Sequence, residues 1–216
     1  MPLSFLRIPL RRLPALGAVL ASVAGAPAAV IHMDFSGVPV VIPNSFDGLY
    51  LNVVSGILST AATPPAGWDI NPYNNGTGLG FFAPATPAGQ GTLASGPTAL
   101  ALLGGETIGP ASLYQPDQAL GTNFQITATQ YAGFRFLNES TGQTNYGWLQ
   151  LRTTGGGASP GFPASLLAYA YENTGAPLTA GQIPEPSSAG LLASGLFALL
   201  AGPRCRNRSS RAPAAA

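Results

Sequence analysis

The strongest constraint on the fold is a strict alternation of apolar and polar residues in the second half of the chain. In the segment 124–129, Phe124, Ile126 and Ala128 alternate with polar residues. Side chains at every second position of an extended strand share one face, whereas a helix would need a period near 3.6. The alternation therefore predicts a β-strand that buries Phe124, Ile126 and Ala128 on one face.

Two later segments predict a hairpin and a central strand. Residues 134–137 and 146–151 flank a polar loop at 138–145, so we expect them to pair antiparallel, with Phe134 and Phe136 on the face opposite Arg135. Residues 166–171 are apolar on both faces, as the central strand of a sandwich would be.

The rest of the chain is rich in turn-forming residues, with 28 Gly and 21 Pro. This composition favours short strands separated by turns. Further strands are expected near 31–35, 38–42, 49–55 and 79–82, and exposed loops at 63–78 and 83–96. The predicted fold class is all-β: one antiparallel, jelly-roll-like β-sandwich domain over residues 29–182.

The N-terminal segment has the features of an export signal. Three arginines within the first twelve residues precede an apolar run at 13–24 and an Ala-Pro-Ala motif at 26–28. A positive region, a short apolar core and a small-residue cleavage site are typical of a secretory signal peptide. Residues 1–28 are therefore predicted to direct Sec export, with cleavage after Ala28 or, alternatively, after Ala29.

The C-terminal segment 183–211 consists of three parts in a fixed order. These are the triplet Pro184-Glu185-Pro186, an apolar stretch at 187–202, and a basic tail with Arg204, Arg206 and Arg208. The order resembles the PEP-CTERM sorting signal of Gram-negative bacteria, which an exosortase recognises and cleaves.

The physical properties of this segment fit that resemblance. The sixteen residues of 187–202 would span about 24 Å as a helix, which is short for a hydrocarbon core of about 30 Å. A single, transient transmembrane helix with its arginines on the cytoplasmic side is therefore expected, followed by a disordered end at 212–216. A plain single-pass anchor is the alternative.

Three strand segments resemble a pattern in uncharacterised PEP-CTERM proteins. They read GFRF at 133–136, YGW at 146–148 and AYE at 170–172. The two resemblances together imply exosortase as a partner and transient anchoring in the inner membrane. They also imply delivery to the cell surface or extracellular matrix, but they imply no reaction.

The charge of the predicted ectodomain argues against nucleic acid as a partner. Between residues 29 and 182 there are two arginines, no lysine and seven acids, a formal charge of −5. Binding to a phosphate backbone requires Lys or Arg to neutralise it. The only cysteine, Cys205, lies in the tail, so no disulfide is expected in the ectodomain.

Four ectodomain residues form the predicted ligand surface. Trp68 lies among Gly, Asp, Asn and Pro, so it is expected to be an exposed platform on which a sugar ring stacks. Tyr73, Glu139 and Glu172 are the other candidates, whereas Trp148 is expected in the core.

No enzyme is predicted. Glu139 and Glu172 would serve a glycoside hydrolase only if their carboxylates lay about 5–10 Å apart, and solvated acids are the default interpretation. His32 is the only histidine, so no Ser-His-Asp arrangement is indicated. Arg135 and Arg152 are expected to form ion pairs with such acids as Glu139 or Glu172.

No cofactor is predicted. Asp34, Asp47 and Asp69 offer oxygen ligands for structural calcium, but the calcium-loop spacing is absent and turn formation explains the same residues.

The predicted function is that of a non-enzymatic structural or adhesive component of an exopolysaccharide or biofilm matrix. The alternative is a carbohydrate-active protein, either a lectin-like, carbohydrate-binding sandwich or a glycoside hydrolase.

Overall fold

The computed structural model describes residues 29–85 and 89–184. The predicted signal peptide, the transmembrane helix, the arginine-rich tail and the disordered end lie outside these residues, as do Glu185 and Pro186 of the triplet. Within the described ranges, no helix is long and apolar enough to cross a membrane.

The described residues form strands and one short 3₁₀ helix at Thr122–Phe124. In chain order the strands are β1 (Val30–Asp34), β2 (Val40–Ile42), β3 (Tyr50–Leu51), β4 (Leu58–Ser59), β5 (Asn71–Asn74), β6 (Leu79–Phe82), β7 (Gly91–Ser95), β8 (Thr98–Ala99), β9 (Ala101–Leu102), β10 (Thr107–Ile108), β11 (Tyr114–Gln115), β12 (Gln118–Leu120), β13 (Ala128–Leu137), β14 (Thr144–Thr154), β15 (Gly161–Glu172) and β16 (Leu178–Thr179).

The fold is all-β and is built on one curled sheet. The main path runs β1-β15-β14-β13-β7-β8-β12-β6-β5, with β2, β9 and β11 paired to its members. The strand pairs are antiparallel except β8–β12, which is parallel. Two small pairs, β3–β4 and β10–β16, complete the described part of the domain. The expected all-β class is thus confirmed.

The predicted hairpin is confirmed, and its two strands are longer than the segments predicted from the sequence. β13 and β14 pair from Ala128↔Thr153 to Leu137↔Thr144, which leaves a connecting loop of only residues 138–143. Phe134 and Phe136 are buried, while Arg135 between them lies against the Tyr114 ring on the other face.

The central strand is also confirmed, because β15 lies between β1 and β14 and is buried on both faces. Tyr169 and Tyr171 belong to one apolar cluster, and Ala168 and Ala170 to a second. The same alternation divides β14, where Trp148 enters the second cluster. Burial of a sheet on both faces produces the continuous apolar runs seen in the sequence.

The predicted strand at 124–129 is wrong. Phe124 is fully buried, but it closes the 3₁₀ helix and packs edge-on against Phe81. Ile126 is 50% exposed, and β13 begins only at Ala128. The amides of Phe124 and Gln125 donate to the carbonyls of residues 121 and 122 within the turn, so they are not available to a strand ladder.

Three other expectations need correction. The strand expected at 49–55 is reduced to Tyr50–Leu51, because Asn52 accepts hydrogen bonds from the amides of Ser55 and Gly56 and turns the chain. The loop expected at 63–78 contains β5. The loop expected at 83–96 contains β7, whose first four residues are buried against β13.

Candidate ligand-binding cleft

A cleft of about 240 Å³ opens where the turn before β5, the segment before β7 and the end of β13 meet. Its polar lining consists of Asp69, Gln90 and Glu139, and its apolar lining of Gly67, Trp68, Pro84 and Leu137. These residues come from three segments far apart in the sequence, so the cleft is a product of the sheet topology.

Asp69 is the buried acid of the cleft, with only 2% of its surface exposed. Its Oδ2 accepts a hydrogen bond of 2.8 Å from the backbone amide of Val53. The pKa of Asp69 is raised to about 8, mainly because burial disfavours the charged form; the Val53 hydrogen bond lowers it, and the nearby charge of Glu139 raises it. Asp69 is therefore mostly protonated at neutral pH.

Glu139 is exposed at the start of the loop after β13, and it is held in place by Asn52. The Nδ2 of Asn52 donates to Oε1 of Glu139 at 2.8 Å and to the carbonyl of Ala66 at 3.1 Å. Since Asn52 is itself 4% exposed, this carboxamide fixes the carboxylate to a buried part of the fold.

Gly67 is required at the edge of the cleft. Its φ of +66° is unfavourable for other residues, and a Cβ there would lie 2.8 Å from Nδ2 of Asn52 and 3.0 Å from Oε1 of Glu139. The absence of a side chain therefore allows the Asn52–Glu139 hydrogen bond to form.

Gln90 and Trp68 complete the cleft walls. Gln90 is 3% exposed, yet its Oε1 has no hydrogen-bond partner in the part of the chain that the structure describes. Buried polar atoms are usually paired, so an unpaired one on a cleft wall suggests a ligand contact. Trp68 is half-buried; it stacks on Phe82 at 5.3 Å between ring centroids and meets Tyr50 edge-on at 5.1 Å.

The cleft combines polar groups with an aromatic wall. Its described lining contains the carboxyl groups of Asp69 and Glu139 and the carboxamide of Gln90, and it contains no Lys, Arg or His. Among the described residues, no group of three or more His, Cys, Asp or Glu could hold a metal ion.

The structure brings together only two of the four predicted ligand residues, Trp68 and Glu139. Tyr73 is 6% exposed and packs near Phe82. Glu172 is 2% exposed, and its carboxylate accepts the hydroxyl of Thr174 and the amides of Thr174 and Ala176, as a turn-stabilising group.

The expected ion pairs of Arg135 are also replaced by other contacts. Its guanidinium lies 4.6 Å from the centroid of the Tyr114 ring, and its Nε has no hydrogen-bond partner. Glu139 and Glu172 instead accept hydrogen bonds from neutral donors. Arg152 is exposed on β14.

Sequence reasoning missed Gln90 and Asn52 and considered Asp69 only for calcium. Gln90 lies in a segment that was expected to be an exposed loop, so no local pattern marked it. For Asp69, the only sequence signal was its position beside Trp68 in a turn-rich segment.

A larger groove of about 540 Å³ lies elsewhere, on the side of the second apolar cluster. Its walls are mainly aliphatic, with Leu93, Leu100, Leu102 and Leu113. Glu106 is its only charged lining residue, so it lacks the converging polar groups of the smaller cleft.

Comparison of the chain with family models, with curated proteins and with solved structures finds no match.

Proposed function

We propose that the protein is exported, processed by an exosortase and retained at the cell surface or in the extracellular matrix as a non-enzymatic structural or adhesive component. The observation that carries this proposal is the order of parts at the C-terminus: the triplet Pro184-Glu185-Pro186, the short apolar stretch 187–202 and the cluster Arg204, Arg206 and Arg208. The antiparallel, jelly-roll-like sandwich is the architecture that we infer for the delivered domain.

The position of the folded domain within the chain supports this proposal. β1 begins at Val30, immediately after the predicted signal-peptide cut. At the other end, Gln182 makes the last hydrogen bonds among the described residues, to Thr179, and Ile183 is 56% exposed. Both predicted processing sites therefore lie at the margins of the strands and not within them.

The test is intact mass and fractionation of the protein in cells with and without exosortase. We expect loss of about the last 30 residues and release from the inner membrane only when the enzyme is present. Pro186→Ala should prevent processing, whereas Pro110→Ala, at an exposed proline of the domain, should not. A full-length tail in both strains would leave a membrane-anchored domain and refute the sorting proposal.

Carbohydrate binding is the second candidate function, and the cleft favours it. A half-buried tryptophan beside carboxyl and carboxamide groups offers an apolar face for a sugar ring and acceptors for its hydroxyls. Retardation of the protein in native gels that contain dextran would test this candidate. Trp68→Ala should abolish retardation, while Phe46→Ala, at an aromatic residue that is 72% exposed and outside the cleft, should leave it unchanged.

A further inference from the structure

We infer that the cleft formed by Trp68, Asp69, Gln90 and Glu139 binds an ammonium group carried on one sugar ring, that is, an amino sugar. This inference rests on the carbohydrate-binding candidate and is independent of the sorting proposal.

The polar groups of the cleft are one carboxylate and one neutral carboxyl group. Oδ2 of Asp69 is occupied by the amide of Val53, and Oε1 of Glu139 by the carboxamide of Asn52. Oε2 of Glu139 is left as a charged acceptor for a ligand, whereas the second oxygen of the protonated Asp69 can donate to a ligand hydroxyl. An ammonium group supplies three donors for Glu139, and the sugar ring that carries it supplies hydroxyls for Asp69.

Gln90 supports the same ligand independently of the acids. It is 3% exposed, and its Oε1 has no hydrogen-bond partner among the described residues. Since Gln90 lines the same cleft, this orphaned carbonyl oxygen adds a second acceptor. Its hydrogen-bonding capacity is satisfied when a donor occupies the cleft.

The negative charge of the cleft has no basic partner in its lining. The two arginines of the domain do not line the cleft: Arg135 is placed on the Tyr114 ring, and Arg152 is exposed on β14. The carboxylate of Glu139 is therefore uncompensated among the described lining residues. A cationic ligand would supply the missing charge, and hydrogen bonds between charged groups are stronger than neutral ones.

The apolar walls favour an organic cation over a metal ion. Trp68, Pro84 and Leu137 form part of the lining, and tryptophan is the aromatic side chain that attracts cations best. Calcium takes six to eight oxygen ligands, and the lining offers two carboxyl groups and one carboxamide. The volume of about 240 Å³ exceeds that of an ion and is below the roughly 300–1,000 Å³ of pockets for drug-sized ligands.

The test is calorimetric titration of the full-length chain, produced with its own export signals and purified from the cell envelope. Glucosamine, N-acetylglucosamine and glucose are compared at pH 6.5, where the first sugar carries an ammonium group and the other two are neutral. We expect glucosamine to bind at least about tenfold more tightly than either neutral sugar.

Glu139→Gln is the decisive variant, because the glutamine keeps an acceptor for Asn52 and removes only the charge. It should weaken glucosamine binding about tenfold and leave the affinity for neutral sugars unchanged. Glu106→Gln is the matched control: it removes one exposed carboxylate outside the cleft and should change neither affinity. Gln90→Met is a second variant, which should weaken glucosamine binding without lowering the melting temperature.

Equal affinity for glucosamine and glucose would overturn the inference and leave carbohydrate binding standing. Binding of calcium chloride, with no binding of any sugar, would overturn both and make the cleft a metal site. Glucosamine binding that Glu139→Gln does not weaken would place the ligand elsewhere. None of these results changes the outcome of the fractionation experiment, so the sorting proposal is judged separately.

Discussion

The buried carboxyl group of Asp69 predicts an unusual dependence of stability on pH. The pKa of this group is about 8 in the folded protein, against 3.8 for an ordinary aspartate. Between these values the folded state holds a proton that the unfolded chain releases. Because the folded state binds more protons across this window, the free energy of unfolding should fall as the pH rises from about 4 to about 8.

The size of this effect follows from the shift in pKa. About three pH units separate pH 5 from the pKa of about 8. Each of these units lowers the free energy of unfolding by about 1.36 kcal/mol. Asp69 alone should therefore lower the free energy of unfolding by about 4 kcal/mol between pH 5 and pH 9. With a urea m-value of about 2 kcal/mol/M, the urea midpoint would fall by about 2 M.

Asp69→Asn should remove this dependence. The asparagine retains an acceptor for the Val53 amide but has no proton to lose, so its stability should be nearly level over the same range. We expect the variant to be similar to the native protein at pH 5 and more stable than it at pH 9. Urea unfolding, monitored by the fluorescence of Trp68 and Trp148, measures the stability of the two proteins at each pH.

The control is Asp34→Asn, at an exposed acid whose pKa is lowered by hydrogen bonds from Ser36. An aspartate with a lowered pKa contributes its stability above its unfolded pKa, so this variant should keep the native decline between pH 5 and pH 9. If Asp69→Asn showed the same decline as the native protein, Asp69 would be ionised in the fold, and the account of the cleft given above would be refuted.

Further predictions concern the packing of the sheet. Gly147→Ala should lower the free energy of unfolding by about 1–3 kcal/mol, because a Cβ would lie 2.5 Å from Cζ of Phe134. Gly104→Ala is the control and should lower it much less, because no atom lies within 4 Å of a Cβ at that position. Thr92→Val should raise the free energy of unfolding by about 1 kcal/mol because the buried hydroxyl has no partner. Thr153→Val should lower it by about 1 kcal/mol, because that hydroxyl donates to a carbonyl at 2.7 Å. Equal effects of the two threonine substitutions in urea unfolding would contradict this reasoning.

The sequence predicts the sheet best where a strand is buried on both faces, because such a strand is a continuous run of apolar residues. The segment that became β15 carried such a run, and the polar loop between the segments that became β13 and β14 predicted their antiparallel pairing. At 124–129 the perfect alternation of apolar and polar residues was misleading. The amides at its start are hydrogen-bonded within a short 3₁₀ turn and not in a strand ladder. Alternation over six residues is thus weaker evidence than a long run with a paired neighbour.

The cleft was only partly predictable, for a different reason. Trp68 and Glu139 had local signals, since one lies in a turn-rich segment and the other in a polar loop. Gln90 had none, because its burial depends on β7 pairing with β13, a contact between residues about 40 positions apart. Asp69 acquires its perturbed pKa only from burial and from Glu139, neither of which a single sequence can place.

The described sheet ends short of both proposed processing sites. Val30 is the first residue in register with β15, and Ala180 is the last whose amide donates to the opposite strand segment, at Glu106. Cleavage after Ala28 and near the Pro184 triplet would therefore break no hydrogen bond of the described sheet. If the C-terminal segment is the sorting signal that we propose, it is processed at a site outside the described sheet. The cleft, and not that segment, then carries the evidence for what the domain binds.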